Sequence, residues 1–141
     1  MMDKLSKRDP KIVLFSGSKG GCGCSFIACC VSTYFARETE KNILLLDLNM
    51  GKKDSRLIFN LTDDDYRDIG DIEEVIDELD ISILKKLVIN FDNSLNLILP
   101  PIRMDRNKFF GKKNLEKLLD KLKNYFDIIC VDFPGYFFTP G

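Results

Sequence analysis

A glycine-rich turn set between an apolar run and a helical pattern constrains this chain more than any other feature. Residues 11–16 (KIVLFS) read as a fully buried strand, the continuous apolar run typical of parallel sheets. Ser16-Gly17-Ser18-Lys19-Gly20-Gly21-Cys22-Gly23-Cys24-Ser25 follows, and residues 25–38 (SFIACCVSTYFARE) read as a helix. Strand, glycine-rich turn and helix in that order form the layout that cradles phosphate. The pattern G-x-x-x-x-G-K-[ST] is nearly met. Ser18 stands where its first glycine would be, and Cys24 stands where its lysine would be.

The rest of the chain alternates in the same way. Residues 43–47 (ILLLD) form a second buried strand ending in Asp47, 95–99 a third stopped by Pro100 and Pro101, and 127–132 (DIICVD) a fourth ending in Asp132. Between them, short helices are expected at 54–60, from about Ile72, and at 81–88. An amphipathic helix at 112–125 turns Leu115, Leu118, Leu119 and Leu122 inward. In helix 25–38, Phe26, Ile27, Cys30, Val31, Tyr34 and Phe35 recur at helical spacing and nearly the whole surface is apolar, as in a helix packed against a sheet. Strands alternating with helices predict a three-layer α/β/α domain around a mainly parallel sheet of about four strands. The expected boundaries are an extension at 1–10, a P-loop domain at 11–135 and a tail at 136–141.

Composition narrows the chemistry. With no histidine in 141 residues, His-based triads, bases and metal ligands are excluded. Lysine and arginine total 21 against 22 acids, a net charge of −1, so no global signature of nucleic-acid or membrane binding is present. No apolar run reaches the length of a membrane helix or a signal peptide, and a cytoplasmic protein is the default expectation. Cys22, Cys24, Cys29 and Cys30 crowd one segment and Cys130 lies apart. Their spacing lacks the paired C-x-x-C of zinc sites. Cys29, Cys30 and Cys130 read as small buried hydrophobes. The acidic stretch 63–80 and the basic stretch 103–123 predict two oppositely charged faces.

In an open α/β sheet, ligands bind beyond the carboxyl ends of the strands. The glycine loop, Asp47 and Asp132 all fall at such ends. Gly20, Gly21 and Gly23 would let successive N–H groups point at phosphate oxygens, helped by the positive end of helix 25–38. Ser25 and Asp132 are the candidate Mg²⁺ residues, one through its hydroxyl and the other through its carboxylate.

With these residues in view, the chain resembles the MinD/ParA family of P-loop ATPases. Lys19-Gly20-Gly21-Cys22-Gly23-x-Ser25 looks like the family's deviant Walker A motif, with Lys19 as its early lysine. Asp47-Leu48-Asn49 looks like the D-x-D motif, and Tyr125 to Pro134 looks like the Walker B segment. Within the family the likeness is nearest to the CpaE/TadZ pilus-localisation branch, with FlhG-type flagellar regulators as neighbours. The resemblance implies ATP or ADP with Mg²⁺ as cofactor, held by Lys19, Gly20, Gly21, Cys22, Gly23, Cys24 and Ser25. It implies catalytic roles for Asp47 and Lys19, the lysine reaching across a homodimer interface. It also implies a protein partner in a surface-appendage or positioning machinery.

Two departures bear on turnover. Cys24 removes a cation from the phosphates, and Asn49 replaces the second acid of D-x-D. Weakened nucleotide binding and very slow or absent hydrolysis are therefore expected. The alternative expectation is a pseudo-ATPase that no longer binds nucleotide and serves as a dimerisation or docking module. The family's sheet continues past the Walker B strand, so the P-loop strand is expected at an exposed edge. Tyr136, Phe137 and Phe138 are expected under a cover supplied by a partner or a longer chain.

Overall fold

The computed structural model describes residues 9–17, 23–49, 54–62, 76–92, 94–100 and 112–134. In chain order its elements are β1 (Lys11–Ser16), α1 (Cys24–Glu38), β2 (Ile43–Asp47), α2 (Asp54–Ile58), α3 (Ile81–Leu87), β3 (Ile89–Asp92), β4 (Leu95–Ile98), α4 (Lys112–Leu122) and β5 (Ile128–Phe133). The strands form one sheet in the order β1-β5-β2-β4-β3. β1, β5, β2 and β4 run parallel, and β3 is antiparallel to β4.

Alternation along the strands builds a core on each face of the sheet. Leu44, Leu46, Ile129, Val131 and Ile98 point to one side, where they meet Leu84 and Leu87 of α3 and Leu115, Leu118 and Leu122 of α4. Ile43, Leu45, Leu97, Ile128 and Cys130 point to the other, where they meet Ala28 and Cys29 of α1 and Phe59 after α2. These two clusters make the three layers. Asp80 caps α3, its carboxylate accepting from Ile83 N at 3.0 Å.

The fold matches the expected class, with four local corrections. The sheet has five strands, because Ile89–Asp92 pairs back onto β4 as a hairpin. The helix expected from Ile72 is, among its described residues, a short 3-10 turn at 76–78. β1 is not fully buried: among the described residues it is paired on one side only and Leu14 is 56% exposed, which is the edge position also expected of the P-loop strand. The packed face of α1 is not the large apolar stripe. Ala28, Cys29 and Ser32 are buried against the sheet, whereas Phe26, Ile27 and Tyr34 are exposed. Small side chains let this helix lie close to the strands, and its bulky residues point away.

Two of the three cysteines expected inside are buried. Burial pushes the thiols of Cys29 and Cys130 up to about 12. Cys30 is exposed, contrary to expectation. Where the acidic and basic stretches meet among the described residues they bond: Lys117 Nζ donates to Asp77. Much of both stretches, at 63–75 and 103–111, and the aromatic tail at 136–138 lie outside the described residues.

Candidate functional site

The described part of the glycine turn ends at Gly23, which adopts φ +80°, ψ 12°. A Cβ there would meet nothing within 4 Å, so glycine is required by the left-handed backbone and not by crowding. Ile27 N donates to Gly23 O at 3.0 Å and starts α1. No side chain caps this helix, and its first turn holds no acid. A helix start built this way keeps its N–H groups and positive dipole end available to an anion. Ser25 lies in that first turn.

Three strands deliver the other groups. Asp47 ends β2 and pairs in register with Asp132 of β5, and Phe15 of β1 pairs with Asp132 on its other side. Both carboxylates are buried, each 2% exposed. Asp47 Oδ1 accepts Asn49 N at 2.9 Å, and its Oδ2 accepts the Ser55 hydroxyl from the first turn of α2. The Asn49 carboxamide donates to Ser25 Oγ at 3.4 Å. Ser25, Asn49 and Cys24 lie around the Asp132 carboxylate and favour its charged form. One of its oxygens, Oδ1, has no hydrogen-bond partner among the described residues.

Removal from water dominates the electrostatics. Burial raises Asp47 to about 7, against the hydrogen bonds from Ser55 and Asn49 that favour its charged form, and the neighbouring Asp132 adds to the rise. Asp132 is likewise raised by burial, opposed by its bonds to Ser25, Asn49 and Cys24. Among the described residues, no lysine or arginine is hydrogen-bonded to either carboxylate.

An ion fits this arrangement. A buried carboxylate oxygen without a partner, beside a serine hydroxyl at a helix start, is a donor set for a hard divalent cation. No group of three acidic or cysteine side chains that could hold a metal occurs among the described residues. Mg²⁺ needs no such cage, since it is commonly held by one or two carboxylates together with waters and substrate phosphates.

Gly23, Cys24, Ser25, Asp47 and Asp132, all expected at the site, therefore fall together, as does Asn49. Lys19, Gly20, Gly21 and Cys22 lie outside the described residues. Ser55 was not foreseen. It sits eight residues beyond Asp47, and only the turn of chain from β2 into α2 brings its hydroxyl back. Arg56 is a second surprise: it is 1% exposed, and its Nη2 reaches Pro100 O at 3.4 Å while Nε and Nη1 have no partner.

No family model and no curated protein sequence matches the chain. Solved structures do. A ParA family ATPase from Chlorobium tepidum superposes with a TM-score of 0.74 at 27% identity, over 89% of this chain and 52% of that one. A plasmid partition protein from Borrelia burgdorferi bound to AMPPNP gives 0.68 at 22%, over 91% and 55%. The septum site-determining protein MinD from Pyrococcus horikoshii, complexed with Mg-ADP, gives 0.69 at 18%, over 89% and 49%. The fold is that of the ParA/MinD P-loop ATPases. The chain spans about half the length of each of these structures.

Proposed function

We propose that this domain binds ATP or ADP with Mg²⁺ and acts as a nucleotide-dependent positioning or assembly switch, with little or no hydrolysis. The observation that carries this reading is the convergence of Ser25, Asp47 and Asp132 beside the uncapped start of α1. Structural neighbours bound to AMPPNP and to Mg-ADP support it. Backbone N–H groups of Lys19, Gly20, Gly21, Cys22 and Gly23 would hold the phosphates, with those of Cys24 and Ser25 at the helix start. Ser25 and Asp132 would hold Mg²⁺, which supplies charge neutralisation at the phosphates. The Asp47 carboxylate orients Asn49 and ties β2 to α2 through Ser55. Lys19 would meet the nucleotide of a second copy in a homodimer. The finer assignment is a CpaE/TadZ-like role with a partner in a surface-appendage machinery. It rests on the motif resemblance, and on Cys24 in place of the second loop lysine.

Weak turnover follows from two side chains. Cys24 offers no cation to the phosphates. Asn49 offers a carboxamide where an acid would draw a proton from water or bind metal. Binding loses one contact, and catalysis loses two.

A docking module without nucleotide is the second reading. It is favoured by the apolar outer surface of the α1 side, where Phe26 is 60% and Tyr34 62% exposed. A groove of about 520 Å³ lined by Cys30, Tyr34, Ile58, Phe59 and Phe91 continues that surface. Thermal melting with Mg-ATP and Mg-ADP separates the two readings, since a docking module shows no shift. The described helices include none long and apolar enough to cross a membrane.

A further inference from the structure

The Asn49 carboxamide lies where three oxygen-bearing side chains converge. Its Nδ2 donates to Ser25 Oγ at 3.4 Å, its backbone N donates to Asp47 Oδ1 at 2.9 Å, and its side chain lies beside both carboxylates, where it favours their charged forms. Two buried carboxylates and a hydroxyl thus share one neutral amide. Among the described residues, Asp132 Oδ1 is still left without a partner. A carboxamide NH₂ has two donors and a partial positive charge, so it satisfies, incompletely, the oxygens that a cation would satisfy fully.

We propose that Asn49 is a displaceable stand-in for the divalent cation. With no metal bound, its carboxamide holds Ser25 and Asp132 together. Entry of the cation and departure of the carboxamide are one exchange. The exchange reaches α2, because Asn49 N is bound to Asp47 and Asp47 is bound to Ser55. Asparagine in place of the second acid of the D-x-D motif is then not only loss. The asparagine keeps the metal-free site intact, which an aspartate would not: a third carboxylate beside Asp47 and Asp132 repels both until a cation arrives.

The inference rests on Ser25 and Asp132 being the cation residues, and its test uses MgCl₂ alone, with no nucleotide. Thermal midpoints are measured for the wild type, Asn49→Asp and Asn49→Ala, in millimolar MgCl₂ and in NaCl of matched ionic strength. The expected result is no Mg²⁺ response in the wild type. Asn49→Asp melts several degrees lower without metal and recovers most of that loss with Mg²⁺. Asn49→Ala is also lowered and gains more from Mg²⁺ than the wild type does. Adding Asp132→Asn to Asn49→Asp should abolish the Mg²⁺ response. If Asn49→Asp does not fold, Asn49→Ala against the wild type decides. Equal Mg²⁺ responses in wild type and variants, or a response that survives Asp132→Asn, would overturn the proposal. Because no nucleotide is present, failure here is distinct from a failure to bind ATP or ADP.

Discussion

Asp47 and Asp132 are register partners on adjacent parallel strands, and both are withdrawn from water. Strands in a sheet lie about 4.8 Å apart, so the two carboxylates are near neighbours in a poorly solvated place. Neither is hydrogen-bonded to a cationic side chain among the described residues. Neutral donors from Ser25, Asn49 and Ser55 do what a positive charge would do elsewhere. Among the described residues the site is short of cationic partners.

That shortage has a pH signature. Asp47 is raised from 3.8 to about 7 by burial. Below the unfolded value both states hold the proton and the group contributes no difference. Between about 4 and 7 the unfolded chain ionises first, so stability falls as pH rises. Above 7 the loss is complete, on the order of 4 kcal/mol. Urea unfolding at pH 5 and pH 8 should show Asp47→Asn gaining on the wild type as pH rises. A pH-independent difference would mean that Asp47 is not ionising in this range.

Cys24→Lys should restore a charge-assisted contact to the phosphates. Such a bond is worth roughly 1.5–3 kcal/mol, or ~10- to 150-fold in affinity. Isothermal titration with ADP and Mg²⁺ measures it directly. Hydrolysis should remain very slow in this variant, because Asn49 is unchanged. Turnover comparable to an active ATPase would show that the carboxamide is not the impediment.

Arg56 should be dispensable for stability. It buries a guanidinium whose hydrogen bond among the described residues is a long one, to Pro100 O at 3.4 Å. An unsatisfied buried donor costs about 1–3 kcal/mol. Arg56→Met keeps the volume and removes that cost, so the thermal midpoint should hold or rise. A fall of many degrees would reveal a carboxylate partner for the guanidinium.

Of Cys29, Cys30 and Cys130, Cys30 should react first. It is exposed, while burial holds Cys29 and Cys130 near 12 and so as unreactive thiols. Brief iodoacetamide labelling followed by peptide mapping should find Cys30 modified and the other two protected. Labelling of Cys130 at a similar rate would mean that the sheet opens at β5.

Much of this architecture was legible in the residues. Asp47 and Asp132 were readable as strand ends because each closes a run of apolar residues, and the glycine turn marked the start of α1. The face of α1 was not readable. Its stripe of Phe26, Ile27, Tyr34 and Phe35 has the right spacing for a core. The helix instead packs through Ala28, Cys29 and Ser32, with Phe35 of the stripe also against the core. Periodicity reports that a helix has an apolar side, but the neighbouring strands decide which side they cover. β3 was missed for a different reason. Ile89–Asp92 has only four residues, half of them polar, and it counts as a strand because Ile89 and Asn90 find Leu97 and Asn96 across a hairpin. The link from Ser55 to Asp47 depends on how the chain turns from β2 into α2, which no local pattern encodes.

The central claim is that the site still holds nucleotide, and the thermal midpoint of the wild type with and without saturating Mg-ADP tests it most directly. Ligand at 100 times its dissociation constant adds about 2.7 kcal/mol. For a domain of this size that is a rise of roughly 6–10 °C. The account predicts such a rise, diminished in Asp132→Asn and in Ser25→Ala. No rise in the wild type at any attainable Mg-ADP concentration would contradict it and leave the docking module as the better reading.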